Sequence, residues 1–122
     1  MPSLASKTRT SAEGAARIVH EAHRAYQNIL NDPYPNQPWD ALDDFARDTV
    51  ITRVQLIRDG WTPGMIQEAW VSRMEQAGWS WGMVKDPFRK THPELLAWDC
   101  CSPESKRKVL MAFRLIYVLD FE

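Results

Sequence analysis

The chain has 122 residues, 44% hydrophobic and 25% charged, which is usual for one globular domain and does not suggest a disordered chain. Its 15 basic and 16 acidic residues give a net charge of −1, which argues against DNA or RNA polymers as partners, because phosphate backbones normally attract a basic excess. No apolar run approaches the ~18 residues of a membrane-spanning helix. We therefore expect no membrane partner, and one domain over residues 10–122 behind a flexible N-terminal arm, residues 1–9.

The cellular compartment is suggested by the N-terminus and the cysteines. The first ten residues lack the apolar segment and cleavage pattern of a signal peptide. Cys100 and Cys101 are adjacent, cannot easily bridge one another, and have no Cys-x-x-Cys ligand spacing. We read them as reduced thiols and expect a cytoplasmic protein.

The first predicted helix begins at a capping box formed by Thr10 and Glu13. Apolar residues then recur at helical spacing over residues 15–30. The proline-rich residues 31–38 follow, and their restricted backbone predicts an extended loop. The helix should therefore end just before this loop.

Three more helices are predicted further along the chain. A second apolar stripe covers residues 42–57. Thr62 followed by Pro63 predicts the start of a third helix, and Ser102 followed by Pro103 predicts the start of a fourth. The expected fold is mainly α: a compact bundle of about four helices in two hairpins, with a long Trp-rich loop.

Residues 78–93 form this loop, because two glycines and two prolines interrupt any long helix there. The segment holds two Trp, two Lys, an Arg, a His and an Asp. Aromatic faces beside cations suit a flat anionic ligand, with the indoles stacking on a base and the cations meeting phosphate. Residues 79–84 are too few for the pattern to decide whether they form a short hairpin arm.

Several motifs in the chain carry a family resemblance. Residues 19–26, VHEAHRAY, match the pattern H-E-x-N-R-x-Y, with His23 where Asn is common; Pro38-Trp39, Thr62-Pro63 and Trp70 match further positions. Residues 78–93 match G-W-x-Y-G-P-V-x-D…K-x-H-P, except that Trp81 replaces Tyr and Met83 replaces Pro. Along most of its length the chain thus resembles the ryanodine receptor repeat domain, the RyR domain.

The resemblance implies both a fold and a function. The family's fold is two helical hairpins around a pseudo-twofold axis, and such a module can hold an adenine nucleotide against its tryptophans. Stand-alone bacterial and phage versions are implied to be sensors or sinks for nucleotide signals in antiviral conflict. If the chain is phage-encoded, the expected location is the host cytoplasm.

The loop supplies the first candidate ligand-binding residues. Trp79 or Trp81 would stack on a base, since two positions apart in an extended segment they share a face. Phosphate would be held by Lys85, Arg89 or Lys90, Arg bidentately and Lys as a point charge. The alternatives are that at least one of the two tryptophans is a core residue and that the three cations belong to a solvated loop.

The remaining candidates have structural alternatives too. Asp86 is expected first to fix the loop by accepting backbone donors, and otherwise to bind a ribose hydroxyl. His92 is expected first to pin the loop to a helix, and otherwise to donate to a ligand oxygen. The opposite wall of the site would be formed by residues that the resemblance singles out: His20, Arg24, Tyr26 and Trp39.

The leading function is a non-catalytic module that binds a nucleotide or nucleotide-derived, including cyclic, second messenger; its sharpest form is a phage sponge that sequesters antiviral immune signals. A protein–protein scaffold with no small ligand is the alternative, and a nucleotide-cleaving enzyme ranks third. No cofactor is expected. No metal is expected either, because residues 20–23, HEAH, are one residue short of H-E-x-x-H. The sequence does not decide whether the protein forms a homo-oligomer.

Overall fold

The computed structural model describes residues 9–122, so the predicted arm lies outside the described residues except for its last one. The helices are α1 (Ala12–Ile29), α2 (Asp44–Arg58), α3 (Pro63–Gln76) and α4 (Pro103–Phe121). Two short strands, β1 (Ser80–Trp81) and β2 (Thr91–His92), lie between α3 and α4. The prediction of a mainly α bundle is confirmed. Within the described range, no helix combines the length and apolar character needed to cross a membrane.

Polar side chains start the four helices by accepting a backbone N–H from the first turn. The predicted starts at Thr62 and Ser102 are confirmed. The first helix begins one residue later than predicted, because the hydroxyl of Ser11 rather than Thr10 accepts the bond from the Gly14 backbone. Asp43 starts α2 in the same way.

The chain repeats one local plan, in which a helix and a loop are followed by a 3-10 turn and a second helix. The turn Trp39–Ala41 precedes α2, and the turn Trp98–Cys100 precedes α4. The residues before the two turns have almost the same backbone angles, φ −55° and ψ 151° at Pro38, and φ −58° and ψ 150° at Ala97. Each Trp-Asp turn thus redirects the chain from a loop into a helix.

The hydrophobic core lies where α1 packs against α2 and α4, while α3 contacts α2 and α4 from the other side. Its buried residues come from α1, α2, α4 and the first 3-10 turn: Ala15, Ala16, Val19, Trp39, Val54, Ala112 and Ile116. The alanines of α1 let the neighbouring helices approach closely, because they present little more than a Cβ atom.

A buried ion pair joins the C-terminal ends of α2 and α4. Arg58 Nη2 donates to Asp120 Oδ1 at 2.8 Å and Arg58 Nε donates to Asp120 Oδ2 at 3.2 Å. The side chains are only 9% and 6% exposed. Two parallel bonds of this kind fix geometry as well as adding energy.

The hairpin arm considered for residues 79–84 does not form. Instead, β1 pairs with β2 in parallel, with Ser80 opposite Thr91 and Trp81 opposite His92. Because the strands are parallel, the segment between them leaves at one end of the pair and returns at the other. Its backbone is held by this pairing and by an antiparallel bridge between Asp86 and Thr91.

Candidate functional site

A cleft of about 540 Å³ opens between the proline-rich loop, α2, the end of α3 and the Trp-rich loop. Three of the predicted residues line it: Trp79, Lys90 and His20. Phe45 and Arg53 of α2 also line it. One aromatic face from the Trp-rich loop and two cations therefore meet in a single cavity.

Trp79 is held in the cleft by the backbone on both sides of it. Gly78 has a φ of 92°, a left-handed conformation that ends α3 and suits glycine. The Trp79 N–H donates to the Met74 carbonyl at 3.0 Å, and the next N–H, that of Ser80, donates to the Lys90 carbonyl at 2.9 Å. Trp79 is half-buried as a result.

Trp81 does not line the cleft beside Trp79. Its side chain is 52% exposed, and it lines none of the cavities described here. The Trp79 ring faces His92 instead, with ring centroids 6.4 Å apart. The two tryptophans thus have different surroundings, although they are only two positions apart.

Lys90 closes the end of α3 and borders the cleft at the same time. Its backbone has a φ of 55°, and its Nζ donates to the Ala77 carbonyl at 2.9 Å. A cation at a helix C-terminus is favoured by the helix dipole. Because an ammonium group has three donors, the bond to Ala77 leaves two for a ligand.

Lys85 ties the Trp-rich loop to the proline-rich loop. Its Nζ donates to the Tyr34 carbonyl at 2.9 Å and to Asn36 Oδ1 at 3.1 Å. Burial lowers the pKa of Lys85 below its ordinary value. Two hydrogen bonds to the protein make this lysine a tether between loops.

Asp86 fixes the turn of the Trp-rich loop. Its Oδ1 accepts the backbone N–H groups of Phe88 at 3.0 Å and Arg89 at 3.3 Å, an arrangement typical of a carboxylate in a turn. Its backbone also exchanges hydrogen bonds with Thr91. The Arg89 side chain is 85% exposed and lies 3.8 Å from Asp86 Oδ2, outside the cleft.

The first helix holds the proline-rich loop against the domain. His20 is buried and its Nε2 donates to the Gln37 carbonyl at 2.6 Å. One turn later, Arg24 Nε donates to the Asn36 carbonyl at 3.0 Å. Of these two predicted wall residues, His20 lines the cleft and Arg24 does not.

The wall opposite Trp79 differs from the predicted one. Trp39 is a core residue, with its ring 5.8 Å from that of His20, and neither Trp39 nor Tyr26 lines the cleft. Residues of α2 such as Phe45 and Arg53 take this place. The Trp-Asp turn buries Trp39 because it sends the indole inward before α2 begins.

A second cavity of about 100 Å³, called the inner cavity below, adjoins the cleft and shares His23, Asn36 and Arg53 with it. Polar side chains from all four helices and the Trp-rich loop line it; besides the shared residues they include Gln27, Gln67, His92, Glu94, Ser105 and Lys108. Except for His23 and His92, these side chains were not singled out by the sequence. A signal existed at Arg53, which stands at helical spacing on the apolar stripe of α2.

His23 is neutral at pH 7. Its Nε2 donates to the Lys108 carbonyl at 2.6 Å, a bond that joins α1 to α4. Burial, reinforced by the nearby positive charge of Arg53, lowers the pKa of His23 to about 3. The ring therefore has an Nε2 donor and an Nδ1 acceptor.

His92 is also neutral and is held inside the domain. Its Nδ1 accepts the Glu94 backbone N–H at 3.0 Å, and its ring meets Trp70 edge-on at 5.3 Å between centroids. Burial lowers the pKa of His92 to about 4, although the charge of Glu94 opposes the shift. His92 thus pins the loop to α3.

Glu94 is already compensated within the inner cavity. Its Oε2 accepts from Lys108 Nζ at 2.9 Å and from the Ser105 hydroxyl at 2.7 Å. Burial alone would raise the pKa of Glu94, but these two partners outweigh it, and the pKa lies below its ordinary value. Glu94 and Lys108 form an ion pair whose charges cancel.

The close approach at Gly82 gives a prediction about the base of the Trp-rich loop. A Cβ added at Gly82 would lie 2.6 Å from the Thr91 Cβ, closer than such atoms approach. Gly82→Ala should therefore lower the free energy of unfolding by about 1–3 kcal/mol in urea denaturation, because the neighbouring strand must move. Gly64→Ala is the control, since its nearest contacts are 3.7 Å away. Equal stability of the two variants would contradict the prediction.

Comparison with known proteins gives no assignment: the chain matches no family model, no curated protein and no solved structure. In residues 9–122, no group of three or more His, Cys, Asp or Glu side chains could hold a metal ion. The hydroxyl of Ser105 and the thiol of Cys101 donate to a carboxylate and to carbonyls, not to a histidine.

Proposed function

We propose that the protein is a non-catalytic module that binds a small anionic ligand of the nucleotide class in the cleft. The observation that carries the proposal is that Trp79, Lys90 and Arg53 line the same cavity. Stacking of one base on an indole is worth ~1–3 kcal/mol, and the cations would attract phosphate. The cleft volume of about 540 Å³ lies within the range of roughly 300–1,000 Å³ that is usual for small-molecule sites.

The RyR-like motif supports the same proposal, because Trp79 and Lys90 both belong to it and both line the cleft. We further propose that the module acts as a sink for a nucleotide-derived, including cyclic, messenger of antiviral signalling, and that it is encoded by a phage. Binding without turnover lowers the free concentration of a signal by mass action. A sink needs no catalytic group, only affinity and abundance.

Thermal unfolding with a ligand panel tests the proposal. The panel contains linear nucleotides, cyclic mono-, di- and trinucleotides, and ADP-ribose derivatives. One class should stabilise the protein, by about 2.7 kcal/mol at a free concentration of 100 Kd. Recovery of intact ligand from the unfolded protein would distinguish binding from cleavage.

Two tryptophan variants locate the binding site. Trp79→Ala should remove the stabilisation by ligand, whereas Trp81→Ala should keep it, because Trp81 lies outside the cleft. Lys90→Ala should weaken binding as well. No response to any class, or equal losses in the two tryptophan variants, would contradict the proposal.

A protein–protein scaffold is the second candidate, and the tip of the Trp-rich loop favours it. Its apolar side chains are largely exposed: Trp81, Met83, Val84 and Phe88, the last 99% exposed. Clustered exposed apolar residues often mark a protein contact. A scaffold predicts no response to nucleotides and a partner interaction that Met83→Ser/Phe88→Ser abolishes; the binding module predicts that this double variant retains its ligand.

A further inference from the structure

We propose that the inner cavity is a subsite for one small anionic group, a phosphate or a carboxylate, held by Arg53. The inference rests on the proposed ligand-binding function and extends it to an adjoining part of the same site. The group is either the inward end of a ligand in the cleft or a free anion. Both sources share one chemistry, and the experiment below separates them.

The first argument is the lack of a protein partner for Arg53. The other arginines that are not exposed donate to carboxylate or carbonyl oxygens: Arg24, Arg47, Arg58 and Arg73. Within residues 9–122, Arg53 has no such hydrogen bond, and no carboxylate oxygen lies within 4.0 Å of it. No fully buried side-chain nitrogen in that range lacks a partner, so the guanidinium nitrogens of Arg53 reach the surface of a cavity.

The second argument is the position of this guanidinium. Arg53 lines both the cleft and the inner cavity. His23 also lines both cavities, and Glu94 lines the inner one. An anion beside Arg53 could therefore contact the inner cavity and the cleft together.

The third argument is the charge left over in the inner cavity. Glu94 and Lys108 compensate one another, and the two histidines, His23 and His92, are neutral at pH 7. Arg53 is the remaining charge; burial lowers its pKa, and the charge of Glu94 opposes this shift without cancelling it. The cavity consequently has a net positive charge of about one, which one anionic group would neutralise.

The size and donors of the cavity narrow the class of ligand. A volume of about 100 Å³, the space of roughly three waters, has room for a phosphate or a carboxylate group. Gln27 Oε1 accepts the Asn36 backbone N–H at 2.8 Å, so its amide NH2 is oriented as a donor. Within the described part of the chain this NH2 has no hydrogen-bond acceptor, which adds a neutral donor to the charge of Arg53.

The experiment uses the full chain and inorganic phosphate as the probe, with chloride at matched ionic strength as the reference. Phosphate should raise the Tm of the unmodified protein and of Arg107→Met, an exposed site on α4 that lines neither cavity. Arg53→Met should bind phosphate at least about 10-fold more weakly, because a charge-assisted bond is lost. Without phosphate its Tm should be unchanged or higher, since a buried unpaired charge is replaced by an apolar side chain of similar length.

NMR titration of His23 tests the proposal in the unmodified protein. A phosphate beside the ring should raise the pKa of His23, because a nearby negative charge favours the imidazolium form. No change in the His23 titration, or no difference between phosphate and chloride in Tm, would overturn the subsite. An equal phosphate response in Arg53→Met would overturn it as well.

The outcomes for the subsite and for the proposed function are distinguishable. Phosphate binding that requires Arg53 and survives Trp79→Ala would support the subsite even if no nucleotide binds. Nucleotide binding that requires Trp79 but is unchanged in Arg53→Met would support the function and overturn the subsite. If nucleotide displaces phosphate, the inward end of the cleft ligand occupies the cavity; if both bind together, a free anion does.

Discussion

Replacing Asp120 with alanine is expected to lower the free energy of unfolding by about 3–5 kcal/mol. The change leaves the Arg58 guanidinium, 9% exposed, without the carboxylate that accepts two of its hydrogen bonds. A buried charge without a partner costs far more than the pair itself contributes. Urea denaturation followed by circular dichroism measures the loss.

Two controls separate burial from charge in this prediction. Asp40→Ala breaks the exposed ion pair with Arg17 and should cost less than about 1 kcal/mol. Arg58→Met/Asp120→Leu removes both buried charges and should recover most of the stability lost in Asp120→Ala. An Asp120→Ala variant as stable as Asp40→Ala would show that the buried pair is not what joins α2 to α4.

Acidification from pH 7 to pH 5 is expected to lower the free energy of unfolding by about 3–4 kcal/mol. The pKa values of His23 and His92 fall from 6.5 to about 3 and about 4 on folding, so the unfolded chain binds more protons in this range. The stabilisation contributed by the two neutral histidines is complete above about pH 6.5. It is lost as the pH falls toward their pKa values in the folded protein. Each histidine contributes at most about 1.4 kcal/mol per pH unit.

The histidine origin of this slope can be tested with His23→Asn. The variant cannot titrate, so its stability should change about half as steeply with pH. The pKa of Glu94 lies below its ordinary value of 4.5, so this carboxylate stays charged between pH 7 and pH 5 and does not cause the slope in that range. A slope unchanged in His23→Asn would mean that this ring is not buried in neutral form.

The helices could be predicted from sequence because their signals are local. Thr62 and Ser102 start helices through bonds to residues three positions later, and apolar stripes mark the buried faces. The pairing of β1 with β2 could not be predicted, since two-residue strands have no periodicity and their partners are set by the surrounding fold. The two Trp-Asp turns could not be predicted either, because three residues are too few to show a periodicity.

The candidate site was predictable on its loop side and, among its helical residues, at His20. Trp79 and Lys90 stand in a conspicuous motif, and both line the cleft. Arg53 lies on the apolar stripe of α2, but neither it nor Gln27 belongs to a motif that predicts a ligand site. Whether such a side chain turns toward solvent or toward a cavity depends on how the helices pack.

The short parallel strand pair separates the loop tip from the cleft. Bonds at its base, such as that from the Ser80 N–H to the Lys90 carbonyl, hold the ends of the loop, while Met83 and Phe88 project outward. Sequence changes at the tip can then accumulate without disturbing Trp79. The exposed tip and the cleft are thus structurally uncoupled, so that the sequence of one can change while the shape of the other is kept.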